Sequence, residues 1–201
     1  MPKKDNSTLR SKISLRKKLL KEIDAPIIME THGGIGVLFN ACYRDIKHGV
    51  VFEKDPVKVV SLAEQRPTWL VYEADCVRAI AGGVGEHLPI NFFDLDPYGS
   101  PWEAVATIFD HWKYLPPKFA LAIIDGQRQK VRAKGSWMIK QLQAFVSVYG
   151  NDQIFVNYKE VCEELFAALA AARGFAIKRW TAYYCGHIKN MTHFGAILER
   201  D

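Results

Sequence analysis

The sequence predicts an α/β protein built on a doubly wound, mostly parallel, seven-stranded sheet with an antiparallel edge hairpin. Short apolar segments alternate with longer segments of helical periodicity, which is the pattern of parallel strands joined by crossover helices. The last two apolar segments, 175–184 and 192–198, are separated by seven residues, too few for a helical crossover. These two strands are therefore expected to pair as the edge hairpin.

The predicted elements follow one another in a regular order. Residues 7–23 place Ile13, Leu19 and Ile23 at helical spacings among basic residues, which predicts a basic amphipathic helix. Short apolar runs then predict five strands, at 26–30, 49–53, 69–72, 90–94 and 119–124. The helical segments between and after these strands are 37–46, 56–65, 76–80, 101–112, 136–148 and 158–173.

Length and composition indicate one ordinary domain. The chain has 201 residues, of which 49% are hydrophobic and 24% charged, as in soluble globular proteins. The four cysteines are scattered, with no pair at metal-binding spacing, which disfavours a zinc or disulfide framework. No apolar run reaches membrane-spanning length and no signal-peptide pattern is present, so an intracellular, cytoplasmic protein without membrane contact is expected.

The net charge of +5 is concentrated at the N-terminus. Residues 1–22 contain eight basic and two acidic residues, a net charge of +6, which leaves −1 for the remaining chain. Two interpretations stay open: the basic helix contacts a polyanion such as nucleic acid, or it is a solvated tail. The chain is accordingly divided into a basic N-terminal extension, 1–23, and a main domain, 24–201.

A glycine-rich turn follows the first predicted strand. Glu30 ends the strand, and Gly34 and Gly36 lie in the turn that opens the next helix. Glycines let the backbone approach a ligand closely, and a helix N-terminus presents free N–H groups. The dinucleotide-binding fingerprint is not matched, because Phe39 stands at its third glycine position, so hydride transfer is disfavoured.

Acidic residues also follow the second, third and fourth strands. Glu53 stands seventeen residues after Gly36, where a carboxylate can accept hydrogen bonds from both hydroxyls of a ribose. Asp75 is placed to meet an adenine amine, and the acidic segment 94–101 follows the fourth strand. All of these positions are carboxyl ends of strands, where open α/β sheets bind ligands. Taken singly, Glu53 and Asp75 could equally be helix caps.

In this order the features resemble those of the class I S-adenosylmethionine-dependent methyltransferases, over residues 24–201. Asp96-Pro97-Tyr98 is similar to the Asp/Asn-Pro-Pro-Tyr/Phe motif of amino-methyltransferases that act on nucleic acids. The longer string 94–101 resembles the Asp-x-Asp-Pro-Phe-Gly-Ser-Pro motif of tRNA guanine-N2 dimethyltransferases. The resemblance implies a Rossmann-like methyltransferase fold and N-methylation of an exocyclic amine on a nucleic-acid base, with RNA favoured over DNA.

The resemblance also implies S-adenosylmethionine as the cofactor and assigns residues to it. Its amino acid part would be held by the strand end and the loop, comprising Glu30, Thr31, His32, Gly33, Gly34 and Gly36. Its ribose would be bound by Glu53 beside Lys54, and its adenine by Asp75 with the backbone of Cys76. Asp94 completes the cofactor-binding set. His32 stands where related loops have their first glycine.

The expected reaction site is Asp96, Pro97 and Tyr98. The lone pair of an exocyclic amine is delocalised into its ring, which makes the nitrogen a poor nucleophile. Asp96 and the Pro97 carbonyl can accept both N–H hydrogens and favour a tetrahedral nitrogen whose lone pair faces the methyl group. Tyr98 would stack on the base. Because the methyl donor is already a cationic sulfonium, no metal is expected.

Several alternatives stay open on the sequence alone. The segment 125–137, a predicted basic loop that ends at Trp137, would suit a nucleic-acid backbone and an unstacked base, or is a solvated loop. The whole chain could instead be a catalytically silent nucleic-acid-binding subunit, or a methyltransferase for small molecules. A partner subunit for substrate recognition is also possible.

Overall fold

The computed structural model of the chain describes residues 8–200 except Ser136 and Met138. Lys3 and Lys4 of the basic extension lie outside the described residues, as does Ser136, the predicted first residue of a helix.

Seven strands form a single sheet. They are β1 Ile28–Glu30, β2 Gly49–Glu53, β3 Leu70–Glu73, β4 Phe92–Leu95, β5 Lys118–Asp125, β6 Phe175–Cys185 and β7 Met191–Arg200. Their order in the sheet is β3-β2-β1-β4-β5-β7-β6. The first five strands pair in parallel, and β7 is antiparallel to both β5 and β6. The predicted fold class is confirmed, including the antiparallel hairpin at the edge.

Eight α-helices are found among the described residues. They are α1 Leu9–Leu20, α2 Pro56–Gln65, α3 Cys76–Ala81, α4 Trp102–His111, α5 Gln127–Lys134, α6 Gln143–Tyr149, α7 Asn151–Val156 and α8 Tyr158–Ala171. The segment after the glycine turn, Phe39–Tyr43, is a π-helix. None of the helices in the part of the chain that the structure describes is long and apolar enough to cross a membrane.

Two hydrophobic cores cover the two faces of the sheet. Side chains alternate between the faces along a strand, so Phe93 and Leu95 belong to the first core and Phe92 to the second core. The same alternation brings Asp94 and Asp96 to the face of Phe92. This face is covered by helix α1 and the π-helical segment, so the two acidic residues meet these elements rather than solvent.

Helix α1 packs against β5 and β7. Leu15 and Leu19 are buried, and Gly195 of β7 gives them room, since a Cβ there would lie 2.7 Å from the Leu15 Cδ1 atom. The burial follows from the helical spacing of these leucines, which places them on one stripe. The helix thus contributes to the second core, while the division of the chain into 1–23 and 24–201 stays a prediction.

The segment after β5 differs from the expected basic loop. Residues 127–134 form helix α5, which ends at Gly135 in the left-handed conformation with φ 72°. Its Arg128 lies between two aromatic rings, 3.9 Å from the centroid of Phe155 and 4.1 Å from that of Tyr184. Trp137 is not an exposed base platform, because it is buried and stacks on a core tyrosine.

Candidate active site

The sheet order brings the predicted site residues to one edge. Strands β3, β2, β1 and β4 are successive neighbours, and Glu30 of β1 is in register with Asp94 of β4. Neighbouring strands are about 4.8 Å apart, so the four strand ends span roughly 15 Å. The residues of the proposed cofactor site therefore lie in a row along the carboxyl edge, with Asp75 at one end and Asp96 at the other.

The glycine turn is fixed by backbone hydrogen bonds to the adjacent strands. Thr31 N donates to the Asp94 carbonyl at 2.9 Å, and Gly33 N donates to the Phe52 carbonyl at 3.0 Å. Gly34 has φ 56°, and a Cβ built there meets no atom within 4 Å. The turn therefore presents open space at Gly34 in a conformation that suits glycine.

Glu53 lies at the end of β2 and is oriented by three backbone donors. Its Oε2 accepts from Gly34 N at 2.8 Å, and its Oε1 accepts from Lys54 N at 2.8 Å and from Asp55 N at 3.1 Å. A carboxylate has about four acceptor positions, so Glu53 retains capacity for a further donor. The carboxylate is thereby held at the mouth of the glycine turn.

Asp75 caps helix α3, accepting a hydrogen bond from Arg78 N at 3.0 Å. It also pairs with the Lys54 side chain, and this pairing lowers the pKa of the Asp75 carboxyl. This contact agrees with the alternative interpretation of Asp75, that it is a helix cap. Because 32% of the Asp75 side chain is exposed, the same carboxylate remains accessible to a ligand.

His32 fills the space between the turn and helix α3. Its Nδ1 is 2.8 Å from the Thr31 Oγ1, and its Nε2 is 3.9 Å from the Sγ of the buried Cys76. Burial lowers the pKa of His32, which favours the neutral imidazole. The bulky side chain in place of a glycine is thus accommodated by packing on Cys76.

Glu30 is directed below the turn, into the second core. It is 2% exposed and forms an ion pair with Arg66, whose guanidinium lies 4.3 Å from the centroid of Phe39. Burial raises the pKa of Glu30 to about 7, although the charge of Arg66 opposes this shift. The carboxylate is engaged by a protein partner, and a direct contact with a cofactor stays a prediction.

Asp94 is likewise directed into the second core. Its Oδ2 accepts from Arg16 Nε at 2.6 Å and from the Tyr43 hydroxyl at 2.7 Å, while Oδ1 pairs with the Arg16 NH2 group. Arg16 is fully buried, and its NH1 also donates to the Lys12 carbonyl. Asp94 therefore ties helix α1 and the π-helical segment to the sheet, and its predicted cofactor contact is untested.

Asp96 is held by the side chain of Lys12. The Lys12 Nζ lies 2.7 Å from Oδ1 and 2.8 Å from Oδ2, and the Arg16 NH2 group is 3.6 Å from Oδ2. The pair is mostly covered, with side-chain exposures of 18% for Lys12 and 13% for Asp96. The carboxylate thus binds an ammonium group through both of its oxygens.

Tyr98 projects from the loop that follows Asp96. The Tyr98 residue is fully exposed, with a relative accessibility of 105%, so its ring is open to a ligand. The loop is closed by Gly99 N donating to the Pro97 carbonyl at 2.9 Å, and Gly126 N donates to the Gly99 carbonyl at 2.9 Å. The Pro97 carbonyl already has one donor and keeps one lone pair for another.

A buried network lies behind this loop and was not anticipated from the sequence. The Asp125 carboxylate accepts from the Tyr158 hydroxyl at 2.5 Å, from Trp102 Nε1 at 2.8 Å and from Gln127 N at 2.6 Å. Burial raises the pKa of Asp125 to about 6. The network joins the end of β5 to helices α4 and α8, and thereby supports Gly126 where it contacts the Tyr98 loop.

Lys12, Arg16 and Tyr43 were not predicted as site residues either, because the charge pattern of α1 does not separate its basic residues and Tyr43 carries no motif. One signal could have separated two of them. Lys12 and Arg16 are four residues apart, next to the buried stripe of Leu15 and Leu19, so they share a helix face that points toward the core. Among the residues that the structure describes, no group of three His, Cys, Asp or Glu side chains could hold a metal ion.

The strand order, with five parallel strands and an antiparallel β5-β7-β6 edge, is that of the Rossmann-like methyltransferase fold. Trm1 from Pyrococcus horikoshii, solved with S-adenosyl-L-methionine, is similar with a TM-score of 0.70 and 14% identity, over 100% of this chain and 58% of that one. TYW2 from M. jannaschii, solved with the same cofactor, gives 0.57 and 13%, over 96% and 77%. The N-methyltransferase NodS from Bradyrhizobium japonicum gives 0.62 and 11%, over 98% of each chain.

The chain therefore spans little more than half the length of Trm1. At these identities the likeness concerns the fold. No protein-family model and no curated protein matches the sequence.

Proposed function

We propose that the chain is an S-adenosylmethionine-dependent methyltransferase that methylates an exocyclic amine of a nucleic-acid base, with RNA favoured over DNA. The observation that carries the proposal is Asp96, a carboxylate at the end of β4 that holds an ammonium nitrogen between its two oxygens. The fully exposed ring of Tyr98 lies two residues further along the chain. The site thus combines a binding position for an amine nitrogen with a face for a planar base.

The residues along the carboxyl edge fit the cofactor. The open space at Gly34 suits a ligand close to the backbone, and Glu53 and Asp75 stand at the ends of neighbouring strands with acceptor capacity left. In the proposed complex, Glu53 accepts from the ribose hydroxyls and Asp75 from the adenine amine. When bound, the cofactor would supply a methyl group on a sulfonium sulfur.

Asp96 makes the amine reactive by accepting its hydrogens. Accepting both hydrogens, with help from the Pro97 carbonyl, withdraws the nitrogen lone pair from the ring and makes the nitrogen tetrahedral. The nitrogen becomes positive as the methyl group arrives, so an anionic acceptor stabilises the transition state more than the neutral ground state. The proton that the methylated nitrogen then releases passes to Asp96 and from there to solvent.

Tyr98 orients the base for this step. An exposed aromatic ring stacks on any base, because every base presents a π-face. Stacking on Tyr98 would fix the plane of the base and so the direction of the amine toward Asp96. The three residues with predicted roles in the reaction, Asp96, Pro97 and Tyr98, thus belong to one short loop.

A basic groove supports a nucleic-acid substrate over a small molecule. It lies between helix α1 and the edge strand β6 and has a volume of about 500 Å³. Its basic residues are Arg10, Lys18, Lys21 and Arg179, and Glu22 is its one acidic residue among those that line it. Arg10 and Lys21 are eleven positions apart, so the helix offers cations over about 16 Å, enough for two or three backbone phosphates.

To test the proposal, purified protein and labelled S-adenosylmethionine are incubated with total tRNA, ribosomal RNA or genomic DNA. Nucleoside analysis then identifies the labelled base. We expect label in an N-methylated base of RNA. Label in DNA would correct the choice of nucleic acid. Cofactor binding without transfer to any nucleic acid would favour the small-molecule alternative, and no cofactor binding would favour the silent subunit.

The groove is tested separately with Lys18→Glu/Lys21→Glu. Both lysines are exposed, so folding should be retained. Both line the groove, so nucleic-acid binding should weaken and its salt dependence should flatten. Side-chain variants are the appropriate test, because truncation would remove the buried Leu15, Arg16 and Leu19. Lys47→Glu/Lys113→Glu, which reverses two exposed lysines outside the groove, is the matched control.

A further inference from the structure

Lys12 of helix α1 occupies the position that the proposed function assigns to the acceptor amine. Its Nζ is within 2.8 Å of both Asp96 oxygens, and it donates to them as a tetrahedral nitrogen. A methyl-accepting amine at the transition state is also tetrahedral and positively charged. Lys12 therefore resembles the transition-state nitrogen more closely than a neutral base does.

Arg16 holds the Lys12 backbone, whereas Asp96 holds the Nζ end of the Lys12 side chain. Arg16, one turn further along α1, is buried on Asp94 and donates to the Lys12 carbonyl at 3.1 Å. The Lys12 side chain is unbranched, and 18% of it is exposed. Rotation of that chain moves the ammonium to solvent without unfolding the helix.

Charge in this cluster is balanced when Lys12 is present. Lys12 and Arg16 face Asp94 and Asp96, and the adjacent His193 is buried, with neither ring nitrogen hydrogen-bonded among the described residues. Replacing Lys12 by a neutral amine leaves one negative charge in excess. The positive nitrogen that forms during methyl transfer restores the balance, so the cluster favours the transition state.

We infer that Lys12 is a built-in competitor for the acceptor-amine position, held on Asp96 in the free protein and displaced when the substrate binds. The inference rests on the proposed function. It makes Lys12 a specificity-determining residue, because an acceptor must compete with a tethered ammonium to reach Asp96. An amine on a weakly bound molecule fails this competition. An amine succeeds when its base stacks on Tyr98 and its nucleic-acid backbone is anchored in the basic groove.

The test is the steady-state kinetics of Lys12→Met with the nucleic acid that accepts label from the wild-type protein. Removing the competitor should lower KM about fivefold, the factor expected for an ion pair of roughly 1 kcal/mol, while kcat is retained. Lys17→Met removes the same charge from an exposed position of the same helix and should leave KM within about twofold. Lys12→Arg keeps a cation on Asp96 and should retain most of the wild-type KM.

Other outcomes overturn the inference. An unchanged or higher KM, or a lower kcat, would mean that Lys12 supports Asp96 rather than competing at it. A methyl group found on Lys12 after incubation with the cofactor alone would make it an acceptor instead. Failure of the wild-type protein to methylate any nucleic acid would refute the proposed function, which distinguishes the two failures.

Discussion

Arg16 and Asp94, 78 positions apart in the chain, form a buried ion pair that joins the first helix to the end of the fourth strand. The Arg16 side chain is fully buried and that of Asp94 is 2% exposed. A second donor to Asp94 is the Tyr43 hydroxyl, at 2.7 Å. Helix α1 is therefore fixed beside the proposed reaction site by a contact that its charge pattern does not reveal.

Arg16→Met should lower the free energy of unfolding by about 3–5 kcal/mol, because Asp94 would remain buried without its counter-charge. Urea unfolding followed by circular dichroism measures the change. Lys17→Met, an exposed neighbour, should cost less than about 0.5 kcal/mol. A loss below about 1 kcal/mol for Arg16→Met would show that the pair does not hold the helix.

Glu53→Gln should weaken the binding of S-adenosylmethionine by about 1.5–3 kcal/mol, the scale of hydrogen bonds to a charged group. Calorimetry with S-adenosylhomocysteine gives the affinity without turnover. Glu73, in register with Glu53 on the next strand, is exposed and provides the control, Glu73→Gln. Equal affinities for the two variants would remove Glu53 from the cofactor site.

Asp96→Ala should retain cofactor binding, while methyl transfer falls by a factor of about a hundred or more, the scale of losing one transition-state acceptor. The loss should appear in kcat, since the carboxylate acts on the charge that develops during transfer. Thermal unfolding of the same variant checks that the freed Lys12 does not destabilise the fold. Transfer at the wild-type rate would argue for a carbon or oxygen acceptor.

Tyr98→Ala should weaken substrate binding by about 1–3 kcal/mol, the contribution of one stacked base. Because the ring is fully exposed, stability should be unchanged. Tyr98→Phe keeps the stacking face and is the matched variant, expected to be mild in both KM and kcat. If Tyr98→Phe were as impaired as Tyr98→Ala, the hydroxyl rather than the ring face would be the functional group.

His193→Phe should reduce the loss of stability in acid. Burial, followed by the charges of Arg16 and Lys12, lowers the pKa of His193 to about 3, while Asp96 opposes the shift. In the unfolded chain the pKa is about 6.5, so neutral His193 stabilises the fold above that pH, and the contribution is lost as pH falls toward 3. The ring also contacts Tyr183, at 5.4 Å between centroids.

Urea unfolding between pH 4 and pH 6.5 provides the measurement for His193→Phe. The wild-type unfolding free energy should fall by about 1.4 kcal/mol more per pH unit than that of the variant. His48→Gln, which changes an exposed histidine, should follow the wild-type curve. Parallel curves for wild type and His193→Phe would show that the imidazole is protonated without penalty in the folded state.

Most of the elements could be predicted because their signals are local. The alternation of apolar strands and periodic helices is confirmed, and helix α2 has the predicted bounds, Pro56–Gln65. Helix α5 was missed because Val131 and Ala133 are its only apolar residues, so it lacks an apolar stripe. Its Arg128 is instead packed between Phe155 and Tyr184, which are distant in sequence.

The sequence by itself determined the fold class and the row of acidic residues at the strand ends, since both follow from periodicity and from the order of elements. The tertiary structure decided which charges are buried. Lys12, Arg16 and Lys17 are all cationic residues of helix α1. In the structure, however, Arg16 is buried on Asp94, Lys12 lies on Asp96, and Lys17 is exposed. The physical reason is that packing of helix α1 on β5 and β7 places Lys12 and Arg16 beside the end of the neighbouring strand β4, a long-range contact that local pattern does not encode.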